Sequence, residues 1–226
     1  METKQVFDAV ANKYDLMNDI MSLGTHRYWK ECLIDWLKPY PGMNIIDVAG
    51  GTGDISRRFL KRVSGNGKAT ICDPNTSMLK NGSKNVDKYE DSISRTCAFA
   101  EELPFENGSF DAYIVSFGIR NFTDIQKGLE EAMRVLKPGG RFMCLEFSKL
   151  ENSKLAKLYE TYSMVIPKIG KLVVGDEEPY KYLVDTIEKF PSQEKFSTMI
   201  RDAGFEKVEY RNIFNGVVAI HSGWKS

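Results

Sequence analysis

Between residues 44 and 147 short apolar runs alternate with segments of helical periodicity, and no other feature of this 226-residue chain constrains its fold as much. The runs cover residues 44–49, 69–73, 93–99, 110–118 and 141–147. Strands apolar on both faces belong to a parallel sheet covered by helices on either side and built from βαβ units. Ile55, Phe59, Leu60 and Val63 form one helical stripe between the runs, and Ile125, Leu129, Ala132, Met133 and Leu136 form a cleaner one. Thr123 with Gln126 three residues later predicts a capping box at the start of that second helix. Lys137-Pro138-Gly139-Gly140 predicts its stop and a turn into the next strand.

The C-terminal part changes pattern. Phe196, Met199, Ile200 and Ala203 repeat at helical spacing before Gly204, which predicts a last helix over residues 192–203. Residues 205–214 and 217–224 then flank Asn215-Gly216, a strong hairpin signal. Five parallel strands closed by such a hairpin predict a seven-stranded sheet with an antiparallel last strand and helices on both faces. Dinucleotide dehydrogenases lack that ending, and class I methyltransferases, with their Rossmann-like α/β fold, have it. Two segments lie outside the alternation. Residues 1–42 carry Val6, Phe7, Val10, Tyr14 and Met17 on a helical stripe, followed by the aromatic and basic patch His26-Arg27-Tyr28-Trp29-Lys30. Residues 150–190 carry Leu155, Leu158, Tyr159, Tyr162, Val165, Ile166, Ile169 and Leu172, broken by Pro167 and Gly170. The expected organisation is therefore one domain over 1–226, with an N-terminal helical cap (1–42), a core (43–149), a helical insertion after strand 5 (150–190) and a C-terminal helix and hairpin (191–226). Either outlying segment is placed to cover the C-terminal edge of the sheet, where open α/β folds bind ligands.

Charge narrows the partners. The chain has 31 Lys+Arg against 31 Asp+Glu, so it lacks the electrostatic excess that drives binding to phosphate backbones, and nucleic acid is not an expected partner. No apolar run approaches the roughly 18 residues a membrane helix needs. Cys32, Cys72, Cys97 and Cys144 are too scattered for a zinc spacing or a disulfide framework, which points to a reducing compartment. With His26 and His221 the only histidines, no metal site is expected. The opening residues carry neither an apolar nor an Arg/Ser-rich leader, so the chain stays where it is made or has lost a leader.

The chemistry gathers at strand ends. Asp47-Val48-Ala49-Gly50-Gly51-Thr52-Gly53 stands where the first strand meets the first helix, a turn whose glycines let backbone N–H groups approach a ligand. The dinucleotide fingerprint fails, because Ser56 stands where its third glycine belongs. Asp73, 20 residues past Gly53 at the end of the second strand, is positioned to accept both ribose hydroxyls of a nucleoside. After the third strand, Phe99 is placed to stack on or wall off an adenine ring, beside Ala100. After the fourth comes Ser116-Phe117-Gly118-Ile119-Arg120-Asn121, which sets Arg120 and Asn121 at the mouth of the sheet, outside the core. The N-P-P-Y type of tetrapeptide that binds planar amines is absent there, which argues against an adenine or glutamine substrate.

The blocks Val6-Phe7-Asp8 through Met17-Asn18-Asp19, Ser22-Leu23-Gly24-Thr25-His26-Arg27-Tyr28-Trp29-Lys30, residues 116–121, Leu145-Glu146-Phe147-Ser148 and Ala219-Ile220-His221-Ser222-Gly223-Trp224-Lys225 resemble the ubiquinone/menaquinone biosynthesis C-methyltransferase family over nearly the whole chain. The resemblance implies methyl transfer from S-adenosylmethionine to a ring carbon of a polyprenylated hydroquinone. It implies cofactor contacts at Thr52, Asp73, Phe99, Ala100 and Ser116, to which the glycine turn itself adds Asp47, Gly51 and Gly53 as candidate cofactor-binding residues. One departure is Phe99, which stands where the family usually has Asn or Asp. Catalysis then needs alignment and help with a proton, and no covalent residue. Arginine has donors and no acceptor, so Arg120, with Asn121, is expected to hold the substrate oxygen and stabilise its ionised form; Tyr14 and His26 are expected to help close the site. An insoluble tail implies peripheral membrane contact through residues 155–174, or a homodimer or quinone-biosynthesis complex. The implied location is the bacterial cytoplasm, or the matrix side of the mitochondrial inner membrane if a leader was removed. Two other readings remain open at this stage: O-methylation of a small phenol, and a non-catalytic scaffold of a biosynthetic assembly.

Overall fold

The computed structural model describes residues 22, 24–83, 88–150 and 178–226. Its seven strands are β1 (Met43–Val48), β2 (Gly67–Cys72), β3 (Ile93–Thr96), β4 (Phe110–Ser116), β5 (Leu136–Phe147), β6 (Glu206–Ile213) and β7 (Val218–Trp224). They form one sheet in the order β3-β2-β1-β4-β5-β7-β6. The pairs among β1 to β5 are parallel, and β7 runs antiparallel between β5 and β6, as the Asn-Gly hairpin predicts. Asn215 (φ 56°) and Gly216 (φ 93°) supply the left-handed residues of that turn. After β3 the chain returns to lay β4 on the other side of β1, with Ile45 opposite Ala112 and Val48 opposite Val115. The strand order therefore reverses at the β1/β4 seam, the switch point beyond whose strand carboxyl ends open α/β sheets bind their ligands.

Helices cover both faces, because successive strand residues point to opposite sides. Ile45 faces a cluster with Trp29, Leu33, Phe59, Leu183 and Ile187, contributed by α1 (His26–Leu37), α2 (Asp54–Arg62) and α5 (Glu178–Lys189). Ile46 faces the opposite cluster with Leu129, Ala132, Phe196 and Ile200, contributed by α4 (Ile125–Val135) and α6 (Gln193–Asp202). A further helix, α3 (Thr76–Ser83), follows β2. Lys30 of α1 pairs with Asp54 at the start of α2 at 2.9 Å, and Asp54 also binds Arg58, so α1 is tied to the helix that follows the glycine turn.

Three local expectations are corrected. The third strand stops at Thr96 and not Phe99: β3 is an edge strand, its last partner is Cys72, and the Phe99 carbonyl instead accepts the Glu102 N–H in a turn. The cap of α4 is Asp124, whose carboxylate accepts the Lys127 N–H at 3.1 Å. Thr123 is held elsewhere, its N–H donating to Glu101 at 2.7 Å. The helix does end at Val135, but Leu136 already pairs with Phe110, so Lys137-Pro138-Gly139-Gly140 forms a bulge within β5 before Arg141 meets Ala112.

Candidate active site

Asp47 lies at the carboxyl end of β1 and is fully enclosed. Its Oδ2 accepts the Ser56 N–H at 3.1 Å and the Ser56 hydroxyl at 2.8 Å, so the first turn of α2 locks the carboxylate in place. Burial pushes the carboxyl up to about 7 against the pull of those two bonds. Its Oδ1 is buried and has no hydrogen-bond partner among the described residues. The turn that follows is shaped by what cannot fit. A Cβ on Gly50 would lie 2.7 Å from the Asp47 carbonyl oxygen, and one on Gly53, which has φ 84°, would lie 2.4 Å from Ile71 Cδ1. Ala49 adopts φ 52°, a left-handed conformation held by the surrounding turn. Thr52 packs under α3, where a Cβ on Gly82 would meet its carbonyl oxygen at 2.7 Å.

Asp73 extends from the end of β2 beneath that turn. Its Oδ2 accepts the Gly51 N–H at 2.9 Å, its Oδ1 accepts the Asn75 N–H at 2.8 Å, and each oxygen keeps a lone pair for a further donor. Burial raises its pKa, opposed by the two backbone bonds. Asn75 in turn caps α3 by accepting the Ser77 and Met78 N–H groups. Farther along the edge, Phe99 is 64% exposed while Ala100 beside it is buried. An exposed ring at this edge is open to a planar ligand, and the Ala100 side chain belongs to the core.

β4 supplies the other wall. Ser116 Oγ is buried without a partner among the described residues. Phe117 turns the chain at φ 57°, and a Cβ on Gly118 would stand 2.5 Å from the Ala49 Cβ, so the β1 and β4 loops touch across the seam. The turn Ile119–Asn121 then presents Arg120. The expectation that Arg120 stands outside the core is corrected: its side chain is only 5% exposed, and Nη1 donates to the Phe117 carbonyl at 2.8 Å and to Glu146 Oε1 at 2.7 Å. The carboxylate partner pulls it inward. Asn121 Oδ1 accepts the Tyr182 hydroxyl at 3.1 Å, which ties the turn to α5. His26 begins α1 and is buried, one turn before Trp29, whose ring lies 6.0 Å from Phe117 and 6.1 Å from Phe147. Tyr14 and residues 155–174 lie outside the described residues.

The fold thus brings Asp47, Gly51, Thr52, Gly53, Asp73, Ala100, Ser116, Arg120 and Asn121 to one edge of the sheet, with Phe99 at its outer rim. Glu146, Trp29 and Tyr182 were not singled out as site residues from sequence. Glu146 did carry a signal, since it is a lone carboxylate in the otherwise apolar run from Phe142 to Phe147. The arrangement fits S-adenosylmethionine. A glycine-rich turn and Asp73 suit the nucleoside, and the unmatched Asp47 Oδ1 and Ser116 Oγ suit the polar amino-acid end.

The model of the ubiE/COQ5 methyltransferase family matches residues 1–225. The chain is 52% identical over 223 residues to the ubiquinone/menaquinone biosynthesis C-methyltransferase UbiE of Ruegeria sp. (strain TM1040), covering 97% of this chain and 89% of that protein. It is 46% identical over 257 residues to the mitochondrial 2-methoxy-6-polyprenyl-1,4-benzoquinol methylase of Bos taurus, covering 98% and 78%. Among solved structures, a SAM-dependent methyltransferase from Thermotoga maritima superposes with a TM-score of 0.67 at 19% identity over 99% of each chain, a likeness of fold.

Proposed function

The chain belongs to the ubiE/COQ5 methyltransferase family, and we propose that it transfers a methyl group from S-adenosylmethionine to a ring carbon of a polyprenylated hydroquinone in ubiquinone or menaquinone biosynthesis. The observation that carries this reading is the 52% identity, over 97% of the chain, to a protein named for that C-methylation.

The cofactor supplies a methyl carbon already activated by a positively charged sulfur. The protein's share is alignment, charge and a path for one proton. The backbone of residues 51–53 and the Asp73 carboxylate hold the nucleoside, while Asp47 Oδ1 and Ser116 Oγ take the amino-acid end. Phe99 borders the adenine, and Ala100 contributes its backbone. Arg120, fixed by Glu146 and the Phe117 carbonyl, stabilises negative charge on the substrate oxygen. Asn121 has its carbonyl occupied by Tyr182, which leaves its amide group to donate. Trp29, Phe117 and Phe147 form an aromatic wall that excludes water from this end of the site. His26, buried at the start of α1, helps close the site.

The insoluble tail requires the enzyme to work beside a bilayer as a peripheral protein, in the cytoplasm or on the matrix side of the mitochondrial inner membrane. Among the described residues no helix is long and apolar enough to cross a membrane. Flotation with quinone-containing liposomes tests this contact, and failure to float under any lipid composition counts against it. Incubation with S-adenosylmethionine and a short-tailed demethyl-hydroquinone tests the reaction. A methyl that survives ether cleavage supports C-methylation, and one that is lost marks O-methylation.

A further inference from the structure

Glu146 is among the most enclosed charged groups of the described chain, with its side chain 1% exposed. Oε1 accepts Arg120 Nη1 at 2.7 Å and the Phe147 N–H at 2.8 Å. Oε2 is buried and has no partner among the described residues, and the same holds for Arg120 Nε. The ion pair therefore offers one unmatched acceptor and one unmatched donor, a cost that a protein bears where a ligand or a proton completes the set. Ser116 pairs with Leu145 across β4 and β5, so Glu146 stands one residue beyond the position opposite Ser116. In the proposed function Ser116 borders the methionine end of the cofactor, so Glu146 stands near the place where the methyl group must meet the acceptor ring.

The reaction needs such a group. A new bond forms between the ring carbon and the methyl group, while the bond from methyl to sulfur breaks and its electron pair stays with sulfur. The ring carbon then carries both the methyl group and its original hydrogen. Aromaticity returns only when that C–H bond breaks, its electron pair re-entering the ring and its proton passing to a base. Arg120 has no lone pair to receive it.

Resting on the C-methyltransferase reading, we propose that Glu146 is the base that takes this ring proton at Oε2, directly or across one water, while Arg120 holds the neighbouring ring oxygen. Burial raises the pKa of the carboxylate, and Arg120 is the charged group that opposes the rise; the Cys144 thiol beside it is itself pushed up by burial and by Glu146. A carboxylate held above its ordinary range is a better proton acceptor than one in water. The resulting acid stays bonded to Arg120 through Oε1 and releases its proton to water as product leaves. The net charge of the filled site is the same before and after the step.

The test uses Glu146→Gln, which keeps the shape and the Oε1 acceptor but cannot act as a base. The substrate is a short-tailed demethyl-hydroquinone carrying hydrogen or deuterium at the methylated carbon. Calorimetric affinity for S-adenosylmethionine is expected to be unchanged, while turnover falls about 10²-fold or more. A ring-deuterium isotope effect, near unity in the wild type, rises well above unity in the variant because C–H cleavage now limits the rate. Wild-type turnover in Glu146→Gln overturns the proposal, and so does a loss that appears in KM without an isotope effect, the mark of a residue that only positions Arg120. If Glu146→Gln no longer binds the cofactor, Glu146→Asp decides: slowed turnover with the isotope effect supports the assignment, and full turnover overturns it. Absence of C-methylation by the wild type is a failure of the underlying functional reading, separable from these outcomes.

Discussion

Asp73 and Gly51, 22 residues apart, are joined by a 2.9 Å hydrogen bond from the Gly51 N–H to Asp73 Oδ2. The end of one strand thereby sets the conformation of the turn after its neighbour, and the carboxylate proposed to bind the nucleoside and the glycine turn act as one unit. Asp73→Ala removes the acceptors and slackens the turn together. The expected loss in S-adenosylmethionine affinity is at least about 10²-fold, since a hydrogen bond to a charged group is worth roughly 1.5–3 kcal/mol. Titration calorimetry reads it, and wild-type affinity in the variant removes Asp73 from the site.

Gly118 tests whether the β1 and β4 loops must touch. It needs no unusual φ, yet a Cβ there would lie 2.5 Å from the Ala49 Cβ, closer than such atoms approach. Gly118→Ala is expected to part the loops, weakening cofactor affinity about tenfold at a stability cost of about 1–3 kcal/mol for overpacking. Calorimetry and urea unfolding of the same preparation separate the two effects.

With Asp47 in its proposed place at the cofactor's amino-acid end, cofactor binding is expected to depend on pH. Its carboxyl titrates at about 7 in the folded chain because burial favours the neutral form. The bound cofactor presents positive charge, which prefers the ionised carboxylate. Affinity is therefore expected to rise as pH increases through about 7, and the same rise is expected to vanish in Asp47→Asn. In the absence of ligand the sign is opposite: the folded pKa lies above the unfolded one, so Asp47 lowers stability as pH rises toward 7.

Arg120→Met removes one half of an enclosed ion pair and strands Glu146. The expected cost is about 3–5 kcal/mol of stability, together with loss of turnover at saturating substrate. Denaturant unfolding and initial rates measure both, and near-normal turnover contradicts the role given to Arg120.

His221 sits between Phe196 and Tyr210, with Nε2 donating to the Gln193 carbonyl at 3.1 Å. Burial lowers its pKa to about 4, below that of an exposed imidazole, so the unfolded chain binds the extra proton first as pH falls. Its contribution to stability is present above about 6.5 and is lost as pH falls toward about 4. Unfolding midpoints at successive pH values are expected to fall less steeply for His221→Gln than for the wild type.

Much of this architecture is written locally. The apolar runs locate the strands, Asn215-Gly216 locates the hairpin, and the pairing of a glycine turn with an aspartate at the next strand end marks the half of the site proposed for the nucleoside. These signals are legible because backbone geometry at a strand end admits few residue types. The acceptor half depends on contacts between distant segments. Glu146 draws Arg120 inward across 26 residues, Tyr182 reaches Asn121 across 61, and Trp29 packs on Phe117 from another helix. Periodicity carries no trace of such pairings. The cap of α4 illustrates the same point, since Glu101 takes the Thr123 N–H and the capping role passes to Asp124.

The most direct test is a single incubation of the wild-type chain with S-adenosylmethionine and a short-tailed demethyl-hydroquinone, followed by mass and NMR analysis of the product. The account predicts one added methyl group, bonded to a ring carbon and stable to ether cleavage. A methyl on oxygen, or cofactor binding without any methylated product, contradicts it.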